Sequence, residues 1–118
     1  MTIARLLPLH IHGALEAALA LLIMAAPFVL GLEPAAMIAL LTIGALVLSV
    51  ALMTHIGDED ALPISTHAAF DIAFAIVMAV GALAFAAVDQ AAAAGLLATG
   101  SVSLVLICAF TRYSPSHA

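Results

Sequence analysis

Four long apolar runs limit what this chain can fold into more than any other feature. We predict membrane-spanning helices at about 10–30, 34–55, 65–88 and 90–111, because about 20 apolar residues are needed to cross a hydrocarbon core about 30 Å thick. The 118 residues are 67% hydrophobic and only 8% charged. A soluble domain of this size exposes too large a share of its residues to carry that composition. The sequence therefore predicts a single all-α membrane domain, a four-helix bundle.

Short polar breaks separate the apolar runs. Pro27 lies in the last turn of the first span, and Gly31 is placed to cap the carboxyl end of that span. Asp89 is placed to cap the amino end of the fourth span. The connections after the first and third spans are so short that each forms a tight helical hairpin. An acidic loop at 57–64 separates the two hairpins.

The two hairpins are copies of each other. Repeat 1 covers about 10–56 and repeat 2 about 65–112, with Gly44 in the second span matching Gly100 in the fourth. Each copy contains an even number of spans, so both enter the membrane from the same side. The repeat is therefore parallel, with its symmetry axis along the membrane normal. Small residues such as these glycines let helices approach closely in lipid.

Each repeat begins with a histidine four residues before a carboxylate. The pairs are His12 with Glu16 and His67 with Asp71. Four residues make slightly more than one helical turn, so the two side chains of a pair share one helix face. A carboxylate in the middle of the hydrocarbon costs roughly 2.5–3.5 kcal/mol, and a partner, a proton or a metal ion usually offsets that cost. These four residues are therefore the functional candidates.

Three hypotheses for the four residues stay open at the level of sequence. In the first, each pair forms hydrogen bonds locally or across helices and holds the repeats in register. In the second, all four bind one zinc, iron, copper or manganese ion, with His10 or His55 as a further ligand; in a variant of it, the two motif histidines are the axial ligands of a haem. In the third, the two carboxylates carry protons in a small transporter that acts as an oligomer.

The charge and the missing motifs exclude other functions. Seven acids against Arg5 and Arg112 give a formal net charge of −5, whereas a nucleic-acid binder needs a basic face. Both arginines lie on the side that holds the termini, so the positive-inside rule places both termini in the cytoplasm. We find no nucleophile–base pair or phosphate-binding loop and do not expect an enzyme. The predicted role is an accessory or scaffold component in a bacterial inner membrane, either as a homo-oligomer or as a subunit of a larger complex.

The end of the first span resembles the signature of the SPW-repeat membrane proteins. That family has two repeats of two spans, with Ser-Pro-Trp near the end of the first helix of each. Here the triplet reads Ala26-Pro27-Phe28 and is followed by Val29-Leu30-Gly31. The chain has no tryptophan, and the second repeat reads Gly81-Ala82-Leu83 where the triplet would recur. The resemblance implies a small bacterial or archaeal membrane protein and no particular activity.

Overall fold

Four long helices make up almost all of the described chain. The computed structural model describes residues 7–55 and 64–111, apart from the side chains of Thr54, His55 and Ile64. The helices are α1 (Leu9–Leu30), α2 (Pro34–His55), α3 (Ile64–Ala87) and α4 (Ala91–Ala109). Their ends lie within about two residues of the predicted spans, so the predicted all-α four-helix architecture is confirmed.

The acidic loop and both arginines fall largely outside this description. Of the predicted loop at 57–64, only Ile64 is described, as the first residue of α3. Arg5 and Arg112 lie outside the described residues. The predicted orientation in the membrane therefore stays a prediction.

Gly31 caps the carboxyl end of α1, as the sequence predicts. Gly31 adopts the left-handed conformation with φ 61° and donates its N–H to the carbonyl of Pro27. The N–H of Leu32 donates to the same carbonyl at 3.0 Å, which is the Schellman arrangement. Glycine is favoured here because it has no Cβ to clash in the left-handed region.

Asp89 does not cap α4, so that prediction is wrong. It has a φ of 62° and ends α3, with the N–H of Gln90 donating to the carbonyl of Phe85 at 2.9 Å. Gln90, not Asp89, is the residue before α4. Aspartate is among the few residues besides glycine that tolerate the left-handed region. In repeat 2 it therefore does what Gly31 does in repeat 1.

Two closely packed hairpins form the bundle. In the α1–α2 hairpin a Cβ at Gly44 would lie 3.0 Å from the carbonyl oxygen of Ala20; in the α3–α4 hairpin a Cβ at Gly100 would lie 3.0 Å from Sδ of Met78. The hairpins meet through α2 against α3 and α1 against α4. Around the bundle the order is thus α1, α2, α3, α4, which places α1 and α3 diagonally across from each other.

The outer surface of the bundle is apolar. Only 22% to 33% of each candidate span is buried inside the protein. Large hydrophobic side chains such as Phe28, Val29 and Leu83 are 61%, 82% and 73% exposed. All four helices are long and apolar enough to cross a membrane, and lipid is the environment that suits such a surface.

Candidate metal centre

The two histidine–carboxylate pairs meet in the middle of the bundle. His12 and Glu16 come from α1, and His67 and Asp71 come from α3. Because α1 and α3 are parallel and diagonally opposed, the faces that carry the pairs point at each other near one end of the bundle. All four side chains are buried, none more than 1% exposed. We call these four residues the polar cluster.

Nitrogen and oxygen atoms alternate around the polar cluster. Nε2 of His12 lies 3.0 Å from Oε2 of Glu16 and 3.1 Å from Oδ2 of Asp71. Nε2 of His67 lies 3.1 Å from Oε1 of Glu16 and 3.1 Å from Oδ2 of Asp71. Each imidazole therefore faces both carboxylates, and each carboxylate faces both imidazoles. One ligand atom from each residue can be chosen so that all four lie within 4.8 Å of one another.

The two ends of the described chain bring a fifth side chain to this site. The N–H of Leu7, just before α1, donates to the carbonyl of Phe110, just after α4, at 2.9 Å. This pairing holds Thr111 beside α1. Thr111 is fully buried, and its Oγ1 lies 2.7 Å from Nδ1 of His12.

Thr111 determines which nitrogen of His12 carries the proton. The threonine hydroxyl donates its one hydrogen to the carbonyl of Ile107, so towards His12 it can only accept. Nδ1 of His12 is therefore the N–H donor. In the neutral ring Nε2 then presents a lone pair towards Glu16 and Asp71, 3.0 Å and 3.1 Å away. A lone pair so close to two carboxylates is repulsive unless a cation lies between them.

The arrangement needs about two positive charges to balance its two carboxylates. Protons on both imidazoles would supply them, and so would one divalent metal ion with both rings neutral. Oε1 of Glu16 and Oδ1 of Asp71 accept no hydrogen bond from the described residues. Buried acceptors without a donor are uncommon and costly.

The geometry fits a four-coordinate metal ion. A tetrahedral ion with ligands at about 2.0–2.1 Å separates neighbouring ligand atoms by about 3.4 Å. The nitrogen–oxygen separations of 3.0–3.1 Å are close to that value. Rotations of the side chains would also have to bring the most distant pair of ligand atoms, which lie within 4.8 Å of each other, to about the same separation. A metal-bound histidine almost always donates its other N–H to a fixed acceptor, as His12 does to Thr111.

A haem does not fit between the same histidines. The rings of His12 and His67 are in edge contact, with centroids 5.2 Å apart and planes at 67°. Glu16 and Asp71 fill the space that the two Nε2 atoms face. No gap is left there for a porphyrin, so the geometry does not support the haem variant.

His10 and His55, the two further candidate ligands, have different outcomes. His10 is exposed, because a residue two positions before His12 lies about 200° around the helix. It is not part of the polar cluster. The side chain of His55 lies outside the described part of the protein, so its role as a ligand stays a prediction.

Sequence reasoning missed two residues next to the polar cluster, Thr111 and Cys108. The thiol of Cys108 donates to Oδ2 of Asp71 at 3.5 Å. Cys108 lies on the face of α4 that also carries Ser101 and Leu104, and Thr111 continues this face two residues after the helix ends. The spacing 101, 104, 108 and 111 is the helical spacing of one face. Three polar residues on one face of an apolar span are the signal that could have identified them.

Comparisons with known proteins add no relative. No family model, no curated protein and no solved structure matches the chain. The resemblance to the SPW-repeat proteins therefore stays a prediction.

Proposed function

We propose that this chain is a multi-pass membrane protein whose two repeats are joined by one divalent transition metal ion. His12, Glu16, His67 and Asp71 are its ligands. The observation that carries the proposal is the orientation of His12, whose Nδ1–H is committed to Thr111. When the ring is neutral, Nε2 therefore presents its lone pair to a space that it shares with two buried carboxylates.

A metal ion accounts for the polar cluster better than two protons do. Two imidazolium rings would each place a single Nε2–H among the carboxylate oxygens. Oε1 of Glu16, 3.1 Å from Nε2 of His67, accepts no hydrogen bond from the described residues. One ion at the centre interacts with both carboxylates and both lone pairs at once. It also removes the cost of two bare carboxylates in a low-dielectric environment.

The site is of the structural type, and zinc suits it best. Structural zinc sites are closed and take four protein ligands, whereas catalytic sites keep one position open to water. All four residues here are buried. Two imidazoles and two carboxylates also suit iron, manganese and divalent copper. The ion ties α1 to α3, which belong to different repeats.

The proposed setting is a bilayer, where the protein acts as a component of a larger membrane assembly or of a homo-oligomer. The broad apolar surface of all four helices supports the bilayer. Small residues on the helices supply the close contacts that association in lipid requires. Tying two hairpins together is a task for a scaffold and involves no reaction.

The test is the elemental content of protein purified in mild detergent without added chelator. We expect about one transition metal ion per chain in the wild type and almost none in the double variant His12→Ala, His67→Ala. His10→Ala is the matched control, since His10 is exposed on the same helix and its loss should leave the metal content unchanged. If the double variant does not fold, Asp71→Asn is used as the test variant instead, because asparagine has almost the same size as aspartate.

Two results would overturn the proposal. The first is a wild-type protein that holds no metal and takes up none when titrated with zinc, iron(II), manganese or copper(II). The second is a metal content that survives in folded variants of the polar cluster. The first result would leave a protonated register lock as the role of the four residues.

A further inference from the structure

The polar cluster is closed to water, so an ion can reach it only when part of the protein opens. His12, Glu16, His67 and Asp71 are each no more than 1% exposed. The two histidines lie in the first turns of α1 and α3, near one end of the bundle. The shortest way from the cluster to water therefore leads out through that end.

Three residues outside the helices join α1 to α4 at this end. The N–H of Leu7 donates to the carbonyl of Phe110 at 2.9 Å, and Leu7 pairs with Thr111 in an isolated parallel β-bridge. Because α1 begins at Leu9 and α4 ends at Ala109, all three residues lie beyond the helices. We call Leu7, Phe110 and Thr111 the terminal clasp. Segments of this kind, with few backbone hydrogen bonds, open at a lower free energy than the helices that they join.

The terminal clasp holds His12 at two points. Oγ1 of Thr111 lies 2.7 Å from Nδ1 of the ring and accepts its hydrogen. The backbone N–H of His12 donates to the carbonyl of Pro8 at 3.0 Å, and Pro8 directly follows Leu7. When the clasp opens, the ring loses its acceptor and the first turn of α1 loses its tie to α4. Glu16 lies one turn deeper, so His12 is the ligand of α1 that the opening frees.

A groove between α3 and α4 also reaches the polar cluster, at Asp71 and Cys108, but its lining does not suit a metal ion. The groove is lined mainly by alanine, isoleucine, leucine and valine. The hydroxyl of Ser101, which also lines it, already donates to the carbonyl of Ala75 at 2.7 Å. An ion on such a surface gives up its water without gaining ligands, which is costly. The end of the bundle is therefore the favoured route.

We propose that the terminal clasp is the gate through which the divalent ion enters and leaves the polar cluster. The gate opens when Leu7 separates from Phe110 and Thr111 moves away from α1, so that the ring of His12 can turn out of the site. The clasp is closed before and after binding. Tightening or loosening the Leu7–Phe110 contact therefore changes the rates of uptake and release by one factor and leaves the affinity unchanged. The gate rests on the proposed function, because it controls an ion that the polar cluster is proposed to bind.

The test joins Leu7→Cys to Phe110→Cys with a reducible bifunctional thiol reagent, in the full chain carrying Cys108→Ala. The two positions line one surface pocket, and Phe110 is 39% exposed, so the reagent can reach them. Zinc uptake and release are followed in detergent with a fluorescent chelator. We expect both rates to fall at least about tenfold, and the zinc Kd to change by less than about threefold, because the cross-link prevents opening and leaves the closed site as it is. Reducing the cross-link should restore both rates.

Glu33→Cys joined to Gln90→Cys is the matched control in the same background. The side-chain amide of Gln90 donates to Oε2 of Glu33 at 3.1 Å, so the same reagent can join them. This cross-link also ties one hairpin to the other, but at the opposite end of the bundle, and should leave both rates unchanged. If the cysteine variants of the clasp do not fold, Leu7→Pro is used instead. It removes the N–H that donates to Phe110 and should speed uptake and release by an equal factor.

The outcomes separate the gate from the metal centre itself. Rates that do not respond to the clasp cross-link would overturn the gate and favour another route, such as the α3–α4 groove. Slower release with unchanged uptake would also overturn it, because a gate acts on both directions. Either result in a protein that binds zinc stoichiometrically would leave the metal centre standing. A wild type that binds no metal would overturn the metal centre and the gate together.

Discussion

Thr111→Val is the substitution that most directly tests how the proposed metal centre is built. Valine has nearly the shape of threonine, so packing around this buried position changes little. The variant removes the acceptor that lies 2.7 Å from the buried Nδ1–H of His12. Such a loss costs about 1–3 kcal/mol. Replacing the group that accepts a hydrogen bond from the other ring nitrogen of a metal-bound histidine typically weakens metal binding about 10–100-fold. That factor corresponds to about 1.4–2.7 kcal/mol of binding free energy.

The affinity is measured in detergent by competition with a fluorescent zinc chelator of known affinity. We expect Thr111→Val to weaken zinc binding by about 10–100-fold while the number of ions bound at saturation stays the same. Thr111→Ser keeps the hydroxyl and should bind within a few-fold of the wild type. Thr99→Val, on the exposed side of α4, is the matched control and should have no effect. Wild-type affinity in Thr111→Val, together with loss of metal in His12→Ala, would refute the argument from the tautomer of His12.

Three further outcomes are expected. Gly44→Ala should lower the free energy of unfolding by about 1–3 kcal/mol, because the new Cβ would overlap Cγ of Met24 and lie 3.0 Å from the carbonyl oxygen of Ala20. Gly100→Ala meets only the side chains of Met78 and Ile23 and should change it by less than about 1 kcal/mol. Equal thermal shifts of the two variants in detergent would contradict this. Asp89→Gly should raise thermal stability and Asp89→Ala should lower it, a difference of about 1–2 kcal/mol, and the reverse order would show that the left-handed turn is not strained. Zinc binding should weaken as the pH falls, because each bound ion replaces about two protons on the imidazoles of the ion-free polar cluster. Calorimetry in buffers of different ionisation enthalpy measures the number of protons released per ion. A value near zero would contradict the argument that the two carboxylates are balanced by two positive charges.

The sequence alone was sufficient for the architecture. Hydropathy is a local property, and a run of about 20 apolar residues can satisfy its backbone in lipid only as a helix. The ends of α1 to α4 therefore lie close to their predicted places. The internal repeat also placed His12 and His67 at the same end, because two parallel copies must carry the same motif at the same depth.

The tertiary structure decided what surrounds the four residues. Whether α1 and α3 lie side by side or diagonally depends on how two hairpins dock, which local spacing does not encode. The docking brings Thr111 to His12, and the packing of α4 against α3 within one hairpin brings Cys108 to Asp71. The same packing of α3 against α4 leaves a groove lined mainly by apolar side chains. These features depend on contacts between residues far apart in the chain, whereas the periodicity of a sequence reports only on neighbours within a turn or two.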